Sequence, residues 1–328
     1  MKLTVYDMRE DEARDFAEMA AERGVELVIS SGRLTPETAS LARGSKAVAL
    51  VAASRIDEAN ARALSGAGVK YVLTRSTGWD HIDLAAAAKY GLRCANVPVY
   101  SQNAVSEYAL MSLLALLRDV KGSVRRTDAQ DFGLPGRPAR ELGEMTVGVF
   151  GTGFIGSRTA RLLRGFGARV LAYTPHPRPE LEGVVEYVDR AELFRQSEAI
   201  IFHCALTEET RNVVNAAGIA SMRDGAILVN AARGELFDYA AVLAALRSGK
   251  LGGLAADVFP NETSFIRKNL AGQELDPVIS GLLALDNVLI TPHTAFYTAT
   301  AVRGIHSVTF DNLREFLETG RCKNELAK

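Results

Sequence analysis

The chain has 328 residues, 48% of them hydrophobic and 23% charged, with a formal net charge of −1. That length exceeds one ordinary core and points to two domains, while the near-neutral balance argues against a nucleic-acid or membrane-surface partner. Three scattered cysteines, Cys94, Cys204 and Cys322, have neither disulfide nor zinc spacing, so neither a stapled scaffold nor a metal centre is expected.

Leu3–Tyr6 reads as a strand with no leader sequence before it, which makes the cytoplasm the expected compartment. To about residue 98, further apolar runs at Val25–Ile29, Ala47–Ala52, Tyr71–Thr74 and Cys94–Val97 alternate with helical stretches. This alternation predicts a parallel sheet wrapped by helices. No glycine fingerprint comes after any of these runs, so the first half reads as a substrate or structural domain. Pro98-Val99-Tyr100-Ser101 breaks the pattern, and a helix is expected from about Asn103 to Val120. Its most apolar part, Ala104–Leu117, carries Glu107 and is too short to span a bilayer, which fits a buried segment. Arg126–Glu144 is polar and contains Gly133, Pro135, Gly136 and Pro138, the composition of a loop-rich connection.

Thr146–Arg178 organises the remainder. Val147–Phe150 has strand length, Gly151-Thr152-Gly153-Phe154-Ile155-Gly156 comes next, and Ser157–Phe166 shows helical spacing before a second run at Val170–Tyr173. In such a strand–turn–helix–strand unit, Gly151 permits the tight turn, Gly153 lets the backbone approach a pyrophosphate, and Gly156 lets helix and sheet pack closely. The free N–H groups of the helix would face the phosphates. Five more runs, Val184–Val188, Ala199–Phe202, Ala226–Val229, Gly253–Ala256 and Val288–Ile290, extend this sheet, and a last helix is expected from about Tyr297 to Glu318.

Three polar positions each lie just past a strand. Arg233 comes after Ala226–Val229, Asp257 after Gly253–Ala256 with Glu262 five residues later, and His293 after Val288–Ile290. A doubly wound sheet places its ligand beyond the carboxyl ends of the strands, so these groups reach the edge that holds the dinucleotide. An arginine clamps a carboxylate with two hydrogen bonds, and a histidine beside a glutamate passes a proton near neutral pH. Taken singly, Arg233 fits a surface ion pair, His293 a helix cap, Asp257 a strand-end acceptor and Glu262 a solvated loop residue. Together, downstream of a glycine fingerprint, they supply the parts that reduction of a 2-keto acid needs: carboxylate anchor, proton donor and hydride cofactor. His81, His203 and His306 lack matched partners and read as structural.

The segments GTGFIG, NAARGELFD, GLAADVFPNE and ITPHTAFYT, with RSTGWDHID and NVPVYSQNAVSEYAL in the first half, resemble the D-isomer-specific 2-hydroxyacid dehydrogenases. The ending HTAFYT and the long segment from Asp257 to His293 are most similar to the branch acting on D-lactate and D-2-hydroxyisocaproate. The resemblance implies two doubly wound α/β domains. A flavodoxin-like substrate domain would comprise residues 1–100 plus 297–328, and a Rossmann domain would comprise 101–296 and join a homodimer. It implies Arg233 on the substrate carboxylate and carbonyl, His293 as acid–base, Glu262 as its partner, and Asp257 on the nicotinamide carboxamide. Backbone groups of Thr77 and Gly78 would hold the carboxylate, with Tyr100 and Phe296 lining the pocket. The expected dinucleotide contacts are Gly151, Gly153, Phe154, Ile155, Gly156, Thr174, His176, Arg178, Cys204, Ala205, Thr207, Ala231, Ala232, Arg233, Asp257 and His293.

Two departures stand out. Trp79 sits after Gly78 where a smaller residue is usual, which bears on pocket shape. Thr174 ends the second strand where an acidic residue would bind the ribose 2′-hydroxyl of NAD. Without that carboxylate to repel a 2′-phosphate, and with Arg178 and His176 nearby, the reading leans to NADP(H), with NAD(H) still usable. A glyoxylate or hydroxypyruvate reductase is the alternative enzyme, and a dinucleotide-sensing corepressor the alternative of another class. A methyltransferase would have no use for the arginine–histidine pair.

Overall fold

The computed structural model describes residues 1–134, 138–266 and 268–326, and the chain divides into two compact units, Met1–Ser101 with Tyr297–Lys328, and Gln102–Phe296. In the first unit, strands β1 (Lys2–Val5), β2 (Glu26–Ile29), β3 (Ala47–Leu50), β4 (Tyr71–Thr74) and β5 (Arg93–Ala95) form a parallel sheet in the order β2-β1-β3-β4-β5. Helices α1 (Glu10–Glu22), α2 (Glu58–Gly66) and α3 (Leu84–Lys89) supply three of the crossovers, and a 3-10 turn at Thr38–Ala42 lies in the one from β2 to β3. This is the flavodoxin-type order, whose direction reverses between β1 and β3. Period-2 alternation separates its two cores. Val48, Leu50 and Val72 face one, while Ala47, Ala49 and Leu73 face the other.

In the second unit, α4 (Gln102–Leu117) and α5 (Val120–Asp128) precede β6 (Thr146–Phe150), α6 (Phe154–Gly165), β7 (Arg169–Tyr173), β8 (Glu186–Tyr187), α7 (Arg190–Gln196) and β9 (Ala199–Phe202). Then come α8 (Ala216–Ser221), β10 (Ala226–Asn230), α9 (Tyr239–Arg247), β11 (Leu251–Ala256), α10 (Pro277–Leu283) and β12 (Val288–Ile290). The seven strands run parallel in the order β12-β11-β10-β9-β6-β7-β8, which reverses direction between β6 and β9. Val147, Val149, Ala199, Ile201 and Val229 build the core on one face, with Ala109 and Leu113 of α4. Ile200, Phe202, Leu228, Leu254 and Val288 build the core on the other. Strands buried on both faces explain why their sequence is continuously apolar. The last helix, α11 (Ala299–Thr319), belongs to the first unit, capped by the Thr298 hydroxyl at one end and left-handed Gly320 at the other.

The long helix expected to Val120 stops at Leu117. Asp119 adopts a left-handed conformation and accepts a hydrogen bond from the Gly122 amide, so a second helix starts where the sequence shows no proline or glycine break. That second helix continues to Asp128 inside the stretch read as loop, and Pro135 and Gly136 of the same stretch lie outside the described residues. The run Val184–Val188 pairs only at Glu186–Tyr187, because the amides of Val184 and Val185 turn back to the Leu181 carbonyl. No described helix is long and apolar enough to cross a membrane, and no group of three or more potential metal ligands occurs among the described residues.

Candidate active site

The reversal between β6 and β9 opens the carboxyl edge of the second unit to a ligand. Gly151 has φ +99°, and a Cβ there would lie 2.8 Å from the Cys204 amide nitrogen. A Cβ on Gly156 would come within 1.9 Å of the Gly151 carbonyl oxygen, so helix α6 reaches the turn only without a side chain there. Gly153 differs: a Cβ would meet nothing within 4 Å, and the residue is the N-cap of α6 without any side-chain cap. The turn thus combines a tight backbone, uncapped amides and open space, which fits a diphosphate. Phe154 and Ile155 open the helix, and Phe154 is 50% exposed.

The loop after β7 runs along this turn. Thr174 is half-buried and His176 is exposed. The Arg178 amide donates to the Tyr187 hydroxyl at 3.0 Å, its guanidinium pairs with Glu180 at 3.1 Å, and the same guanidinium lies 5.1 Å from the centre of the Phe154 ring. After β9, burial pushes the Cys204 thiol up to about 12 despite the Arg233 charge, which keeps the sulfur protonated and unreactive. Ala205 and Thr207 come next, in a turn closed by the Thr210 hydroxyl, which donates to the Ala205 carbonyl and accepts from the Thr207 amide. His203 hydrogen-bonds Thr159 at 2.9 Å behind the turn, and burial pushes it down to about 4. It is a neutral structural histidine.

Three neighbouring strands deliver the polar groups. Asn230 of β10 pairs in register with Ala256 of β11, which pairs with Ile290 of β12. Asn230 is fully buried; its side-chain Oδ1 accepts from the Ala232 amide at 3.1 Å and its side-chain Nδ2 donates to the Arg233 carbonyl at 2.9 Å. This brace shapes the Ala231–Arg233 turn, and Arg233 donates from Nη1 to the Ala232 carbonyl at 2.6 Å. Asn230 does not stand out in the sequence. Its one signal is that a polar residue closes a wholly apolar strand, where burial obliges it to find partners.

Asp257 is turned inward. One carboxylate oxygen accepts from the Thr291 hydroxyl at 2.6 Å and the Thr294 amide at 2.8 Å, and the other accepts from the Ala295 amide at 2.9 Å. Its backbone carbonyl accepts from the His293 amide at 2.9 Å. Burial raises its carboxyl, opposed by these same hydrogen bonds. Asp257 thus spends these acceptor sites on the turn that carries His293. That support matters because His293 sits at φ 56°, a left-handed conformation costly for a side-chain-bearing residue. His293 Nδ1 meets a Glu262 oxygen at 2.5 Å, and the other Glu262 oxygen accepts from the Phe259 amide at 3.1 Å. The imidazole stands edge-on to Phe296 at 6.1 Å. Glu262 thus holds one ring nitrogen, and the His293 side chain stays 39% exposed.

In the first unit, Thr77 and Gly78 lie just past β4. The Thr77 hydroxyl donates to the Val97 carbonyl at 2.9 Å, its carbonyl accepts from Asn96 at 2.7 Å, and the Gly78 carbonyl accepts from Ser76 at 2.7 Å. Trp79 is half-exposed beside them, and Tyr100 is half-buried in the segment before α4.

Known proteins share this chain's sequence pattern and fold. Residues 110–295 match the family model described as the NAD-binding domain of D-isomer-specific 2-hydroxyacid dehydrogenases. The chain is 38% identical to the D-specific alpha-keto acid dehydrogenase of Enterococcus faecalis, over 96% of this chain and 97% of that one. It is 36% identical to the D-lactate dehydrogenase of Escherichia coli, over 99% and 100%. Among solved structures, a D-2-hydroxyisocaproate dehydrogenase superposes with a TM-score of 0.91 at 35% identity over the whole of both chains. The NAD+ complex of a Lactobacillus jensenii D-lactate dehydrogenase superposes with a TM-score of 0.88 at 30% identity, again over both whole chains.

Proposed function

Because the chain belongs to the D-isomer-specific 2-hydroxyacid dehydrogenase family, an enzyme family that uses a nicotinamide dinucleotide to reduce 2-keto acids to D-2-hydroxy acids, we propose how its own residues divide that work. The observation that carries the proposal is the His293–Glu262 pair, one strand from Asp257 and two from Arg233 at a single sheet edge. Arg233 clamps the substrate carboxylate and polarises its carbonyl. His293 donates the proton that the carbonyl oxygen takes up on reduction, and withdraws it in the reverse direction. Glu262 orients the imidazole. Asp257 holds the His293 turn. Thr77 and Gly78 bind the carboxylate through backbone groups, and Tyr100 and Phe296 border the substrate side chain.

Gly151, Gly153, Phe154, Ile155 and Gly156 hold the diphosphate, and Cys204, Ala205, Thr207, Ala231 and Ala232 border the rest of the dinucleotide. The bound nicotinamide supplies the hydride. We read the Thr174–Arg178 loop as favouring NADP(H): Thr174 carries no charge to repel a 2′-phosphate, and Arg178 lies over the first residue of the phosphate-facing helix. A homodimer joined through the second unit is supported by exposed Met111, Val120, Val124, Phe132 and Leu134 in one stretch of chain. Three unpaired cysteines support a cytoplasmic compartment.

A panel of 2-keto acids, monitored by loss of nicotinamide absorbance with NADPH and with NADH, tests the reading. Larger aliphatic and aromatic keto acids compared with pyruvate and glyoxylate separate its branches. Arg233→Lys keeps the charge but loses the two-pronged geometry, so KM should rise and kcat fall, together on the order of 100-fold in kcat/KM. Wild-type kinetics from this variant would remove Arg233 from the site.

A further inference from the structure

We propose that Tyr187 is a specificity-determining positioning residue, a clamp whose hydroxyl fixes Arg178 against the glycine turn and so sets the preference for a 2′-phosphorylated adenosine. The inference rests on the reading that the adenosine end of the dinucleotide meets the Thr174–Arg178 loop.

Tyr187 ends β8, a two-residue edge strand held only to β7 through Leu171–Glu186 and Ala172–Tyr187. So short an edge gains little from its ladder, and side-chain contacts must hold the neighbouring loop in place. The Tyr187 oxygen makes two of them. It accepts from the Arg178 amide at 3.0 Å, and it lies 3.3 Å from the hydroxyl of Thr152, the residue between Gly151 and Gly153. Since the amide occupies Tyr187 as an acceptor, its own proton is available to Thr152. Thr152 is itself anchored: it is buried, and its carbonyl accepts from Ser157 of α6 at 2.8 Å. A single hydroxyl therefore links the loop that reads the ribose to the turn that reads the diphosphate.

The consequence falls on the Arg178 side chain. With its backbone fixed, the guanidinium lies 5.1 Å from the Phe154 ring, directly beside the first turn of α6. Its ion pair with Glu180 joins a one-third-exposed group to a half-exposed one, so it is weak and a phosphate dianion would displace it. Without the Tyr187 hydroxyl the loop has room to move. An open groove of about 320 Å³ borders it, lined by Pro177, Arg178, Pro179, Glu182, Val185 and Tyr187. An arginine free to swing into that space loses its pre-organised position, and pre-organisation is what separates a placed charge from a merely nearby one.

Calorimetric titration of the apo protein with adenosine 2′,5′-bisphosphate and with adenosine 5′-diphosphate tests this without turnover. Arg178→Ala should lower the affinity ratio between the two probes about tenfold, the loss of one charge-assisted contact. Tyr187→Phe, which keeps the ring, should lower the same ratio about fivefold with an unchanged melting temperature. The double variant should fall no further than Arg178→Ala alone, because the tyrosine acts through the arginine. Thr152→Val removes only the far end of the link and should shift the ratio less, in the same direction. If Arg178→Ala leaves the ratio unchanged, the reading of the loop fails and the clamp with it. If Arg178→Ala lowers the ratio and Tyr187→Phe does not, or if their effects add fully, the loop reading stands and the clamp is overturned.

Discussion

In the first unit, His306 has both ring nitrogens on carboxylates, Asp15 at 2.9 Å and Glu12 at 3.3 Å, lies edge-on to Phe16, and exposes none of its side chain. In the second, His293 has one nitrogen on Glu262 at 2.5 Å and leaves 39% of its side chain exposed. The partners are of the same kind. What differs is how many sides of the imidazole are taken. The Glu12 carboxylate is surrounded further, with Arg75 at 2.6 Å and Arg9 at 3.0 Å, and Arg75 also donates to the Tyr6 and Asp7 carbonyls. Both His306 nitrogens and both Glu12 oxygens find their partners within the protein, so the cluster is mortar between α1, α11 and β4. At His293 one nitrogen is fixed and the side chain stays partly open to solvent. A histidine beside a carboxylate is catalytic only where the fold leaves it a second partner to find.

The same substitution in both places should therefore give opposite phenotypes. His293→Ala should lower kcat by about 100- to 10,000-fold, the range for loss of a general acid, while melting close to wild type. His306→Ala should leave kcat per folded molecule within about twofold but cost on the order of 3 kcal/mol of stability, because two carboxylates lose their buried partner. Steady-state kinetics beside thermal melts decide it. A large kcat loss in His306→Ala, or wild-type kcat in His293→Ala, would reverse the assignment.

The carboxylates sharpen the contrast with pH. Burial alone would raise Glu12, but the His306 hydrogen bond and the charges of Arg75 and Arg9 outweigh it and hold the carboxyl down at about 2. A group lowered on folding binds its proton more readily in the unfolded chain. Its stabilisation is therefore complete above the ordinary glutamate range, near 4.5, and is lost as pH falls toward 2. Denaturant titrations should show about 3 kcal/mol disappearing across that window. Glu12→Gln should be destabilised at neutral pH and flat where the wild type slopes; equal slopes would refute the coupling.

A smaller effect is expected at Glu262. Glu262 holds Nδ1 of the His293 ring and so orients it. Glu262→Gln should lower kcat/KM for reduction by about tenfold in steady-state kinetics, with little change in melting temperature. Wild-type kcat/KM from this variant would show that Glu262 does not position the imidazole.

Much of the molecule was legible because the physics involved is local. Tyr71–Thr74, Ala199–Phe202 and Val288–Ile290 read as strands and are strands, since short β-rich apolar runs bounded by turns have few other ways to satisfy their backbones. The helix break at Asp119 was hidden, because a left-handed aspartate looks like any other until its side chain is seen on the Gly122 amide. The short pairing at Glu186–Tyr187 was hidden because hydrogen bonds back to Leu181 competed with the ladder.

The same division holds for the chemistry. The glycine spacing, the order of strand ends and the identities of Arg233, Glu262 and His293 are properties of the chain itself, because parallel strands deliver the residues after their carboxyl ends to one edge. Tertiary structure alone decided that Asp257 faces inward to the Thr291–Ala295 turn, that Asn230 braces the Arg233 turn, and that Tyr187 reaches Thr152. Each of these depends on which amide or hydroxyl a buried polar group meets. That meeting is set by the packing of segments distant in sequence, and no local pattern of residues encodes it.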